Sequence, residues 1–81
     1  MECFITETFS KEFKKLDKSI RTKLLKQIDK ILENPEIGKP LRYNSKGERT
    51  TYVKPYRLIY KFENNLVTLL KFEHRNEVYK I

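Results

Sequence analysis

The chain has very little of the residues that small proteins use for covalent or metal-bound stability. Its 81 residues include one cysteine, Cys3, one histidine, His74, and no tryptophan. A single cysteine excludes an internal disulfide, and one cysteine with one histidine cannot supply the ligands of an ordinary zinc site. We therefore expect no metal and no cofactor, and a stability that comes from one hydrophobic core.

Long apolar runs are also missing. No stretch of the sequence approaches the roughly 20 apolar residues that a transmembrane helix needs. The N-terminal segment MECFITETF has neither the basic start nor the cleavage site of a signal peptide. The sequence predicts a cytoplasmic protein with no membrane partner. At this length we expect one domain, residues 1–81, with an open surface or a shallow cleft as its functional site.

Positive charge is what the sequence has in excess. Eighteen lysines and arginines against eleven acidic residues give a net charge of +7. Such a charge attracts polyanions, with nucleic acid first and an acidic protein second. A lysine-rich solvated surface has the same composition, so charge alone leaves nucleic-acid binding and a plain solvated surface equally open.

Hydrophobic periodicity predicts the element order β-α-α-β-β-β. Residues 3–9 are β-prone, and Ser10 is a candidate N-cap for a short helix over residues 11–17. A second helix is expected over residues 18–33, because isoleucines and leucines recur there on one helical stripe. Asn34-Pro35 ends that helix, since the residue before a proline leaves the α region.

The second half of the chain is typical of strands. Residues 49–53 predict a short strand, and residues 56–62 alternate aromatic or aliphatic side chains with cations. In residues 66–72 both the odd-numbered and the even-numbered positions carry apolar side chains, which favours a strand that is central in the sheet. Asn64-Asn65 predicts a two-residue hairpin turn. The fold class is therefore α+β, a helical hairpin packed on a small, twisted, mainly antiparallel sheet.

Two motifs in this half point to a family. They are YRLIY at residues 56–60 and HRNEVY at residues 74–79, and they follow Leu41, Gly47, Arg49 and Val53. In this order, behind a helical hairpin, the pattern resembles the RelE/ParE toxin superfamily and, within it, the RelE-type branch. The resemblance covers the whole chain. It implies a toxin that enters the ribosomal A site and cuts mRNA without a metal ion, and an acidic, RelB-like antitoxin that wraps the toxin.

The chemistry that the resemblance implies can be matched to residues. Metal-free RNA cleavage needs a base for the ribose 2′-hydroxyl, cations for the phosphate and a donor for the leaving 5′-oxygen. The candidate catalytic residues are Arg57, His74, Arg75 and Tyr79. The two arginines can grip one phosphate, and His74 is the candidate acid or base because its unperturbed pKa lies near neutrality. Tyr79 can stack on a base, relay a proton or pack against the sheet.

Four further residues are candidates for RNA binding, namely Arg49, Lys46, Tyr52 and Lys54. A lysine of lowered pKa is an alternative base. We expect the arginines and the histidine to converge on one concave, cation-lined side of the sheet, that is Arg49, Arg57, His74 and Arg75. The structural alternative for Arg57 is a salt bridge to Glu63 or Glu77.

The chain departs from the family pattern at Tyr43, at Tyr52 and at Lys54-Pro55. Position 52 often carries a cation in the family, and its loss weakens the argument for nuclease activity. Two alternatives therefore stay open. One is a ParE-like toxin that inhibits DNA gyrase without chemistry, although that branch generally lacks the HRxxVY cluster. The other is a RelE-like fold that binds RNA or an antitoxin but does not cleave.

Overall fold

Two helices cover one face of a five-stranded sheet in the computed structural model, which describes residues 2–41 and 47–74. In chain order the elements are β1 Glu2–Ile5, α1 Glu7–Lys14, α2 Lys18–Glu33, β2 Lys39–Pro40, β3 Glu48–Val53, β4 Tyr56–Glu63 and β5 Leu66–His74. The strand order across the sheet is β1-β5-β4-β3-β2, with β1 parallel to β5 and the other pairs antiparallel. The predicted α+β class is confirmed, and the short strand β2 was not predicted.

The boundary between the first strand and the first helix was predicted too late in the chain. A strand over residues 3–9 and a helix capped by Ser10 are both wrong, because Thr6 caps α1. The Thr6 hydroxyl accepts a hydrogen bond from the Phe9 N–H at 3.1 Å and donates one to the Leu70 carbonyl at 2.6 Å. The helix therefore starts where the chain leaves the sheet, and Phe9 enters the core.

The second helix has the predicted bounds, Lys18–Glu33. Asp17 caps it, since its side chain accepts a hydrogen bond from the Ile20 N–H at 2.9 Å. Leu24 and Ile31, two turns apart on the apolar stripe, have no exposed surface. Across residues 2–41 and 47–74, no helix is both long enough and apolar enough to cross a membrane.

The β4–β5 hairpin has the predicted turn. Asn64 and Asn65 have φ angles of 53° and 61°. These are left-handed values, which asparagine tolerates better than most residues and which a two-residue hairpin loop requires. The turn places Glu63 directly opposite Leu66, so the register at this end of the hairpin follows from the sequence.

One extra residue in β5 changes that register further along. Tyr60 pairs with Leu69, but the preceding residue of β4 pairs with Lys71, so Leu70 forms a β-bulge. The bulge reverses the alternation of side chains beyond it. Leu69 and Phe72 therefore both reach the helix-covered face although they are three residues apart, which explains why β5 is apolar on both parities.

Tyr60 brings a polar group into the centre of the core, where it has no exposed surface. Its hydroxyl donates a hydrogen bond to the Pro35 carbonyl at 2.7 Å and accepts one from the Gly38 N–H at 3.0 Å. A Cβ atom on Gly38 would lie 2.7 Å from the same hydroxyl oxygen, so there is no room for a side chain. This contact fixes the loop after α2 against the sheet.

Candidate functional site

The strand register sorts the candidate residues onto two faces of the sheet. We call the helix-covered side the inner face and the opposite side the outer face. Residues directly opposite each other on antiparallel strands share a face. Tyr52, Arg57 and Glu73 lie opposite one another on β3, β4 and β5 and form one row across the outer face. Lys71 belongs to the next row of that face.

Arg57 is the cation at the centre of this row, and it holds an anion. Its Nη2 atom lies 2.8 Å from Oε1 of Glu73, which is a charge-assisted hydrogen bond. This bond lowers the pKa of Glu73, and Lys71 adds to the effect while burial opposes it. The same bond raises the pKa of Arg57. Both side chains are about a quarter to a third exposed, so the pair lies within reach of a ligand.

Sequence reasoning missed Glu73, although it correctly placed Arg57 on the face opposite the core aromatics. The observed partner is neither Glu63, which pairs with Lys61, nor Glu77, which lies outside the described residues. The sequence held only a partial signal. Phe72 is a large apolar residue that favours the core, so alternation directs Glu73 away from it, but the turn alone would place Phe72 opposite Arg57.

The guanidinium of Arg57 is only partly used by this pair. Its Nε atom is buried and has no hydrogen-bond partner in the described structure. Tyr52, which is 48% exposed on β3, makes a smaller contribution to the raised pKa of Arg57. The row therefore contains a guanidinium whose Nη2 atom binds Glu73 and whose Nε atom has no hydrogen-bond partner in the described structure, next to the aromatic ring of Tyr52.

Arg49 does not belong to this face. It pairs with Tyr60, so its side chain lies on the inner face, and our expectation that Arg49 and Arg57 share one side of the sheet is wrong. Its Nη1 atom donates hydrogen bonds to the Gly38 carbonyl at 2.7 Å and to the Glu36 carbonyl at 3.2 Å. These contacts brace the loop after α2, which gives Arg49 a structural role.

His74 is also on the inner face, which is a second correction. It pairs with Tyr56, and the two rings meet edge to face with centroids 5.3 Å apart. The histidine lines a cleft of about 450 Å³ beside α1, together with Glu12 and Lys15. His74 and Arg57 thus flank the same end of the β4–β5 hairpin, but from opposite sides of the sheet.

The remaining candidates are less constrained by the structure. Lys54 is exposed in the turn between β3 and β4. Lys46, Arg75 and Tyr79 lie outside the described residues, so their roles stay predictions. Within residues 2–41 and 47–74, no three His, Cys, Asp or Glu side chains are grouped so that they could hold a metal ion.

Comparison with known proteins identifies the family. A family model described as the ParE toxin of the type II toxin–antitoxin system parDE matches residues 4–79. No curated protein matches the sequence.

Solved structures of RelE toxins share the fold. The intact RelBE toxin–antitoxin complex of E. coli contains a chain that is 25% identical, with a TM-score of 0.80 over 90% of this chain and 94% of that chain. The isolated E. coli RelE toxin is 26% identical, with a TM-score of 0.79 over 96% and 89%. The RelBE2 complex of Mycobacterium tuberculosis is also similar, at 26% identity and a TM-score of 0.79 over 91% and 96%. The chain therefore belongs to the ParE toxin family of type II toxin–antitoxin systems, within the RelE/ParE superfamily.

Proposed function

We propose that this toxin is an endoribonuclease that cleaves mRNA on the ribosome, in the cytoplasm and without a metal ion, and that Arg57 binds the scissile phosphate. The observation that carries the proposal is the contact between Arg57 and Glu73. An arginine on the outer face already binds an oxyanion at 2.8 Å, and a phosphate offers the same geometry. The likeness to RelE toxins and the net charge of +7 support it.

The proposed reaction is a transfer within the RNA. The ribose 2′-oxygen attacks the adjacent phosphorus and loses its proton to a base, while the bond from phosphorus to the 5′-oxygen breaks and that oxygen gains a proton. The products are a 2′,3′-cyclic phosphate and a 5′-hydroxyl. Arg57 stabilises the charge that collects on the phosphate oxygens in the transition state, with Arg75 as the proposed second cation.

The candidates for proton donor and acceptor are His74 and Tyr79, with Lys46 or Lys54 as the alternative base. Because His74 lies on the inner face, it can reach the phosphate on Arg57 only if the RNA passes around the end of β5. A His74→Ala variant tests this part of the proposal separately. If cleavage persists in that variant with an unchanged pH profile, His74 takes no part in proton transfer.

The proposed partner is an acidic, RelB-like antitoxin. Several of the similar solved structures are complexes of a RelE toxin with a RelB antitoxin. Opposite net charge favours association with this basic chain. The chain also exposes apolar side chains on β1 and α2, including Phe4, Ile5 and Leu25, each more than half exposed. We propose that the antitoxin covers this surface, since exposed apolar patches on small proteins commonly mark interfaces.

A second candidate function is inhibition of DNA gyrase without chemistry, and the match to the ParE toxin model favours it. A third is binding of RNA or antitoxin without cleavage, which the tyrosine at position 52 favours, since that position often carries a cation in the family. The three differ in what happens to mRNA and DNA in a cell that produces the toxin.

One expression experiment separates the three functions. The chain is produced under tight control, mRNA 5′ ends are mapped, and the experiment is repeated with Arg57→Ala, Arg57→Lys and Arg75→Ala. For the wild type we expect cuts in mRNA that are phased with the codons. In the alanine variants the cleavage rate should fall by a factor of about 10² or more, because a contact made in the transition state is lost. The lysine variant keeps the charge but not the fork, so it should recover only part of the rate.

Two other outcomes would identify the alternative functions. Growth arrest with intact mRNA and with DNA damage identifies gyrase inhibition. No phenotype in any version leaves only the third function, in which the protein does not cleave. Thermal melts of the purified variants show whether a lost activity comes from the missing side chain or from unfolding.

A further inference from the structure

We propose that the carboxylate of Glu73 occupies, in the free protein, the position on Arg57 that an RNA phosphate takes in the complex. Glu73 is then a positioning residue that sets how tightly the toxin binds RNA. The inference rests on the proposed function, because it takes Arg57 as the phosphate-binding group. It concerns a residue that neither the sequence motifs nor the family comparison assigns.

The geometry of the pair is that of a partly filled anion site. Glu73 uses one oxygen on one terminal nitrogen of Arg57, at 2.8 Å, while the Nε atom of the same guanidinium has no partner in the described structure. Nε and a terminal nitrogen form the side of the guanidinium that binds oxyanions through two parallel bonds. Glu73 uses only one of these donors. The Nε atom is buried in the free protein, so a phosphate can use both donors once Glu73 has moved aside.

A second cation, Lys71, can pair with Glu73 when Glu73 leaves Arg57. The Oε2 atom of Glu73 lies 3.7 Å from Nζ of Lys71, in the next row of the outer face. The displaced carboxylate therefore keeps a counter-charge and partial exposure to water. Displacement by phosphate exchanges one ion pair for another, and no charge is left buried and unpaired.

The competition operates at neutral pH. Arg57 and Lys71 lower the pKa of Glu73, so the carboxylate is ionised under physiological conditions. It then opposes RNA binding in two ways, because it occupies a donor and repels the incoming phosphate. Removing its charge while keeping its shape should tighten RNA binding.

The test measures affinity for a short single-stranded RNA that is 2′-O-methylated and cannot be cleaved, by fluorescence anisotropy at fixed salt. Glu73→Gln should tighten binding about tenfold, the effect expected for one charge-assisted hydrogen bond. Glu63→Gln is the matched control, since it removes the same charge from a carboxylate that pairs with Lys61 at 3.5 Å, away from Arg57. Its gain should be about twofold or less.

A double-mutant cycle with Arg57→Ala assigns the effect to the pair. In the Arg57→Ala background, Glu73→Gln should gain no more than Glu63→Gln does. A gain that persists without Arg57 overturns the proposal, as does a Glu73→Gln variant that binds no better than the control. If Glu73 only supported the fold, its removal would lower the melting temperature without tightening RNA binding.

The cycle also separates this inference from the proposed function. If Arg57→Ala loses RNA affinity but Glu73→Gln gains none, Arg57 binds phosphate and Glu73 does not compete. If Arg57→Ala binds RNA as well as the wild type does, the phosphate-binding role of Arg57 is wrong, and this inference is wrong with it.

Discussion

Removing a single oxygen atom, the hydroxyl of Tyr60, should destabilise the whole domain. Tyr60 has no exposed surface, and its hydroxyl joins the Pro35 carbonyl and the Gly38 N–H, both in buried residues. In Tyr60→Phe both groups lose their partner and have no access to water in compensation. A buried polar group left unpaired costs about 1–3 kcal/mol. For the two together we expect a loss of roughly 2–4 kcal/mol in the free energy of unfolding.

The measurement is urea unfolding followed by circular dichroism. The transition midpoint should fall while its slope stays unchanged, because the surface exposed on unfolding is the same. In a thermal melt, a loss of 2 kcal/mol corresponds to roughly 8–16 °C for a domain of this size. Tyr56→Phe is the matched control, since the Tyr56 ring packs on Phe72 and His74 and its hydroxyl makes no hydrogen bond within the described structure. Equal midpoints for the two variants would refute the reasoning.

The same hydroxyl predicts a change at alkaline pH. Burial raises the pKa of Tyr60 above its ordinary value of 10.0, although the hydrogen bond from Gly38 opposes the shift. The folded state therefore keeps the proton longer than the unfolded chain does. Stability is unaffected below about pH 10 and is lost as the pH rises above it. Tyr60→Phe should show a smaller alkaline loss than the wild type.

Two further predictions concern the loop and the ion pair. Gly38→Ala should lower the free energy of unfolding by about 1–3 kcal/mol, because the new Cβ would lie 2.7 Å from the buried Tyr60 hydroxyl oxygen; urea midpoints measure it, and an unchanged midpoint contradicts it. The lowered pKa of Glu73 means that its pairing with Arg57 stabilises the fold above the ordinary carboxyl pKa of 4.5 and that this contribution is lost as the pH falls through the lowered value. The stability difference between the wild type and Glu73→Gln should therefore shrink in acid, and a difference that is constant with pH would show that the carboxylate charge is not involved.

Local signals were sufficient for α2 and for the β4–β5 hairpin. The helix has a long apolar stripe, a capping aspartate and a proline just beyond its end, and these agree with one another. The hairpin has two asparagines where the turn needs positive φ angles. The start of α1 was mislocated because Thr6 and Ser10 are both good caps. The choice between them depends on Leu70, a distant residue whose carbonyl accepts the Thr6 hydroxyl.

The partner of Arg57 could not be predicted from the turn alone. Counting outward from Asn64 and Asn65 places Phe72 opposite Arg57, whereas the bulge at Leu70 brings Glu73 there instead. No local sequence pattern requires a bulge at that residue. The acid–base pair at the centre of the candidate site is therefore set by an irregularity in the strand.

The faces of Arg49 and His74 were mispredicted for a related reason. Alternation along one strand places successive side chains on opposite faces. It does not say which residues of different strands share a face, because that depends on how the strands are paired. Arg49 pairs with Tyr60 and His74 pairs with Tyr56, and both tyrosines lie on the inner face. Arg49 and His74 therefore lie on the inner face too. Clustering of cations in sequence was a poor guide to their clustering in space.

The first strand of the chain lies beside the last one described. β1 pairs in parallel with β5, and β5 pairs with the middle strand, β4, on its other side. During synthesis, the N-terminal strand therefore has no neighbouring strand, and Arg57 has no Glu73 carboxylate to bind, until β5 has been made. Fragments from interrupted translation should stay unfolded, since the contacts that order them come last.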